Sequence, residues 1–149
     1  MRPLTGACGI LGTLTFLSLA TGQDRDEAKK ELQNMQGTWQ VVSSQVGDEK
    51  APAAEVKKRK VIVKGNTLTY VPSSGPKDKR EGTIKLDPKT KAFDWAVTAP
   101  EAGTMLAIYE LKGDVLKVGF GNDGLVRPKR FVIGKEDVVW LLVLKREKP

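Results

Sequence analysis

From Gln23 to Pro149 the chain contains no His and no Cys, so its reactive side chains are carboxylates, lysines, tyrosines and hydroxyls. Thiol nucleophiles, Cys–His pairs and Ser–His–Asp triads each need a residue type that is missing. Zinc sites built on Cys and His are missing their ligands for the same reason. Carboxylate catalysis of the glycosidase kind needs two acids at a fixed separation across a cleft. Asp94, Glu110, Asp114 and Asp123 are available, but no spacing selects a pair, and Asp94 and Glu110 fall on outward strand faces. The inventory argues against an enzyme, and no catalytic residue, cofactor or metal site is expected.

Two motifs imitate binding sites. Gly119-Phe120-Gly121-Asn122-Asp123-Gly124 matches G-x-G-x-x-G, but a dinucleotide site needs a helix to follow. Here Pro128 and a strand-like Lys129-Arg130-Phe131-Val132 follow. The same residues imitate one calcium-binding nonapeptide repeat, which needs stacked copies, and only one copy exists. A loop whose Asn, Asp and Gly supply positive φ explains the segment better. Lys57-Lys58-Arg59-Lys60 is the densest basic run and reads as a solvated helix end. Four charges do not make a nucleic-acid track, so no nucleic-acid partner is expected.

The first 22 residues hold one base, Arg2, and no acid, and Gly9 to Ala20 is an apolar stretch of twelve residues. Ala20-Thr21-Gly22 supplies small residues before charge begins at Asp24. Residues 1–22 thus read as a secretory signal peptide cut between Gly22 and Gln23, with export to a periplasmic or extracellular location. The alternative is a membrane anchor left uncleaved, for which the apolar stretch is short against the roughly 20 residues that span a bilayer. Cys8 precedes the apolar stretch, where a lipid-modified Cys would follow it. Residues 23–149 suit one domain. They keep all 25 basic residues but Arg2 against 18 acids, a net +6. Such a chain can meet an anionic envelope component by charge alone.

Strand signals dominate. Residues 24–35 read as a short helix with Leu32 and Met35 on one face, and Ala53 to Arg59 as another helical turn or two. Gly37-Thr38-Trp39 opens the first strand, a tight entry followed by a large indole that plugs one end of a barrel. Period-two alternation at Val61/Val63, Gly82/Ile84/Leu86 and Phe93/Trp95/Val97 marks inward faces. Gly65-Asn66 and Gly113-Asp114 are hairpin signals, and Asp87 to Thr90 is a turn. Lys129 to Ile133 reads as a strand, and Val138 to Leu144 as a last strand apolar on both faces and covered on both. The expected fold is an all-β antiparallel meander barrel of about eight or nine strands with a short N-terminal helix.

Leu32-Gln33 with Gly37-Thr38-Trp39-Gln40-Val41-Val42 resembles the opening of the planctomycetal lipocalin-like domain family, a family of unknown function. The similarity continues through Gly82 to Pro88, Lys91 to Asp94, Ile108 to Val118, Arg127-Pro128 and Leu142 to Glu147. It implies a calycin-type barrel and an exported location, and brings no activity and no catalytic residues. In true lipocalins the Trp of such a G-x-W packs under a basic residue of the last strand, a part expected here of Lys145 or Arg146. Lys129-Arg130 stand where the family often has Thr-Glu, and Gly119 where a Cys is frequent.

Trp39, Tyr70, Phe93, Trp95, Tyr109 and Phe120 all fall on inward faces. Of these, Tyr70, Trp95, Tyr109 and Phe120 are the expected lining of a site for a small apolar or amphipathic ligand, with Gly37 and Trp39 as the structural plug. The alternative is a cell-envelope interaction or structural module with a barrel filled by its own side chains and no small-molecule ligand. Arg127, Lys129 and Arg130 are expected to form a basic rim at a barrel mouth.

Overall fold

A computed structural model describes residues 19–121, 126–134 and 137–148, with side chains from Gly22 onward. Helix α1 spans Leu19–Asn34, followed by strands β1 (Gly37–Val46) and β2 (Glu49–Lys50) and a short helix α2 (Ala53–Val56). Strands β3 (Lys60–Lys64), β4 (Thr67–Val71), β5 (Arg80–Asp87), β6 (Ala92–Ala99), β7 (Gly103–Lys112), β8 (Val115–Phe120) and β9 (Trp140–Arg146) complete the chain. Every neighbouring pair is antiparallel. β1 pairs with β3 on one side and with β9 on the other, which closes an eight-stranded barrel and leaves β2 as a two-residue arm on β1. Closure removes the free edges that an open sheet would expose.

Alternation positions the interior. On β6, Phe93, Trp95 and Val97 are buried while Asp94 and Ala96 are half-buried and Thr98 is exposed. Val61 and Val63 of β3 and Leu68 and Tyr70 of β4 face them across the barrel core. At Gly82 β5 leaves no room for a side chain against β6, because a Cβ there would stand 2.1 Å from the Ala96 carbonyl oxygen. The ladder shifts register at this point, between Glu81 and Gly82.

α1 begins at Leu19, five residues before the expected start, so the expected cut at Gly22-Gln23 falls within it. Residues 1–18 of the expected signal peptide lie outside the described residues. No helix among the described residues is long and apolar enough to cross a membrane. α2 is shorter than expected, although the amides of Lys57, Lys58 and Arg59 still bond back to Ala53, Glu55 and Val56.

The strand expected at 129–133 does not form. β8 and β9 pair directly over six residue pairs, so no ladder position is left for it. Residues 126–134 instead cross the outer wall, and Ile133 makes one isolated parallel bridge to Val138. Phe131 and Ile133 pack there with Ala92, Ile108, Val138 and Leu141, a second apolar cluster outside the barrel. The last strand, which starts at Trp140 rather than Val138, is thereby covered on its outer face at Leu141.

Candidate functional site

The end of the barrel beside α1 is shut by Trp39. Its side chain is fully buried and its Nε1 donates to the Met35 carbonyl at 2.9 Å. Gly37 makes the turn from helix to strand at φ 122, a conformation that side-chain-bearing residues rarely adopt. Arg146 lies over the indole, 4.3 Å from its centroid, while Lys145 is exposed. The register decides between them, since Arg146 is the direct cross-strand partner of Trp39. Its guanidinium also donates to the carbonyls of Gln36 and Asn34, each at 2.5 Å, and to Asp114 at 3.2 Å.

Tyr109 belongs to this end. Its hydroxyl donates to Glu31 Oε2 at 2.7 Å, and Lys91 donates to the same carboxylate at 2.7 Å. Burial, then the Glu31 carboxylate, pushes the Tyr109 phenol well above its ordinary range. α1 is thus tied to β7 and to the turn before β6.

Tyr70, Trp95 and Phe120 come together in the interior with Trp140, Leu116 and Leu142 around a small void. Tyr109 does not line it, and its ring packs against Phe93 at 6.0 Å between centroids. The void measures about 10 Å³, no more than one water molecule needs. Trp95 donates to the Leu68 carbonyl at 3.2 Å and packs on Phe120 at 6.0 Å. Phe120 stacks on Trp140 at 5.0 Å, and Tyr70 meets Trp140 edge-on at 5.2 Å. Trp140 is the largest lining residue that sequence reasoning missed. Its strand is apolar on both faces, so alternation hides the phase, but counting back in twos from an inward Arg146 would have found it.

The opposite end is polar. Ser44 is buried on β1 and accepts from Arg59 Nη1 at 3.0 Å and from Trp140 Nε1 at 3.2 Å. The register shift between Val41 and Ser43 is what turns Ser44 inward. Arg59 Nε is buried with no hydrogen-bond partner among the described residues. Arg80 sits opposite Tyr70 in the ladder and so shares its face. Burial pushes the Tyr70 phenol up, and the nearby charges of Arg59 and Arg80 offset part of that. Neither arginine takes part in an ion pair among the described residues. A groove of about 450 Å³ opens beside Arg80, floored by Val97 and Met105 and bounded by Pro100 to Thr104.

The expected basic rim is elsewhere. Arg127 is spent on the outer wall, where it donates to the carbonyls of Phe93 (3.1 Å) and Ala107 (2.9 Å) and pairs with Asp94. Arg130 pairs with Asp137 at 3.5 Å, and Lys129 is exposed. Asp94 therefore anchors a segment rather than pointing idly to solvent. Glu110 pairs with Lys112 at 3.2 Å, and Asp114 with Arg146. Asp123 and the centre of the Gly119–Gly124 motif, from Asn122 on, lie outside the described residues. No group of three or more acids placed to hold a metal occurs among the described residues.

No family model and no curated protein matches the chain. Among solved structures it is similar to a DUF4847 family protein from Bacteroides vulgatus ATCC 8482, at 15% identity and a TM-score of 0.46, over 76% of this chain and 94% of that one.

Proposed function

We propose that this is an exported, lipocalin-like module of the cell envelope whose barrel is filled by its own side chains and whose interactions are made from its surface. The observation that carries this reading is the internal void of about 10 Å³. Ligand pockets for small molecules run to roughly 300–1,000 Å³, so the interior is short by more than an order of magnitude. A ligand inside would need the Trp140 and Tyr70 rings to leave their places. Export rests on the apolar stretch Gly9 to Ala20 and the small residues after it. Arg146 over the Trp39 indole matches the contact that lipocalins make at this position, and it supports the lipocalin-like reading.

Native mass spectrometry of the protein purified from its own host tests the filled barrel. The expected spectrum carries the polypeptide mass alone. A retained small molecule, released on denaturation, would replace this reading with that of a carrier whose barrel binds an apolar or amphipathic ligand.

A further inference from the structure

We infer that the end of the barrel opposite α1 is a binding site for an oxyanion, a phosphate or carboxylate group, held between Arg59 and Arg80. The site is separate from the filled interior and does not depend on export. Inward positions at this end carry two guanidinium groups, and neither has a carboxylate partner among the described residues. A partly buried cation without a counter-ion is unfavourable unless something else supplies the charge.

The hydrogen bonding of Arg59 points the same way. Ser44 takes only Nη1, at 3.0 Å, and the buried Nε–H has no acceptor among the described residues. In a guanidinium, Nε–H and one Nη2–H lie along a single edge, the fork that grips a carboxylate or phosphate with two parallel bonds. On that edge the Nε–H is left without an acceptor among the described residues, and the Tyr70 phenol is the neutral group beside the guanidinium. Arg80 is exposed on the same face as Tyr70, whose phenol feels the charge of both arginines. The groove at Arg80 gives the remainder of a larger anion room over Val97 and Met105, with Glu101 its one acid. Trp140 Nε1 shares the Ser44 hydroxyl with Arg59, so an anion on Arg59 is expected to change the environment of Trp140.

The test uses the full chain with inorganic phosphate and with octyl phosphate, against sodium chloride at equal ionic strength. Melting temperature and Trp emission are followed together. Phosphate is expected to raise the first and change the second saturably, beyond the chloride response. Arg80→Gln, at an exposed position, should weaken both responses by about tenfold or more, the loss of one charge-assisted contact. Arg59→Gln should do the same, and Arg59→Lys, which keeps the charge but loses the fork, should not restore binding. Lys112→Gln, at the far end of β7, should leave affinity within about twofold. Octyl phosphate binding about tenfold tighter than phosphate would mark the head group of an amphiphile, and equal affinities a free ion. A phosphate response no larger than chloride, or one undiminished in Arg80→Gln, would overturn the site.

Discussion

The Arg146 guanidinium lies over the Trp39 indole at 4.3 Å and hydrogen-bonds the carbonyls of Asn34 and Gln36 from the same position. One side chain of the last strand therefore joins the first strand to the end of α1. Replacing it removes a cation–π contact and leaves two carbonyls without their charged donor. Arg146→Leu should cost about 2–3 kcal/mol in urea melts. Its exposed neighbour provides the comparison, since Lys145→Leu should stay within about 0.5 kcal/mol. Equal effects at the two positions would remove the special role of Arg146.

Trp39 is fully buried beneath that contact, and residues 23–149 contain no Cys for a disulfide. Trp39→Ala should cost about 3–5 kcal/mol through the cavity it leaves. That is a large share of the roughly 5–15 kcal/mol typical of a domain. A loss below about 1 kcal/mol in denaturant melts would show that the plug is dispensable.

Tyr109 links β7 to α1 through Glu31, with Lys91 on the same carboxylate. Its folded pKa lies above the unfolded value, so its contribution is complete below about pH 10 and is lost as pH rises beyond that. Tyr109→Phe should cost about 1 kcal/mol at pH 8, the worth of the lost hydrogen bond. At pH 11 the wild type has given up that advantage and the difference should shrink or reverse. Urea melts at the two pH values check this, and a difference independent of pH would contradict it.

Gly82 and Gly103 separate a required glycine from an incidental one. A Cβ at Gly82 would meet backbone atoms of Ala96 and Val97 at 2.1–2.6 Å, whereas one at Gly103 meets nothing within 4 Å. Gly82→Ala should cost about 3 kcal/mol or more, because a strand must shift. Gly103→Ala should stay within about 0.5 kcal/mol. Thermal melts of the two variants side by side decide the matter.

Arg127 holds residues 126–134 to the outer wall through Asp94 and two carbonyls. Arg127→Gln should loosen the segment while the barrel stays paired. Trypsin should then cut after Lys129 or Arg130 about tenfold faster, with residues 37–120 still protected. Unchanged cleavage would mean that Phe131 and Ile133 hold the segment without it.

Much of the barrel is legible along the chain because a strand repeats every two residues. Phe93, Trp95 and Val97 declare one face and Asp94, Ala96 and Thr98 the other, and Gly65-Asn66 and Gly113-Asp114 mark where the chain turns. The absence of His and Cys from residues 23–149 is a property of the sequence, and so is the Gly37–Trp39 opening. Tertiary structure decided the rest, for reasons of register and competition. Lys145 and Arg146 are equivalent as a dipeptide, and only pairing with Trp39 turns Arg146 over the indole. Lys129 to Ile133 has the composition of a strand, but β8 and β9 had already taken each other's ladders, so it became a cover for Ile108 and Leu141. Arg59 sits in a basic run that reads as solvated, and barrel closure brings it to Ser44 and the Tyr70–Trp140 pair. A local pattern records which face a residue takes. Which residues share that face is set by strands far apart in sequence.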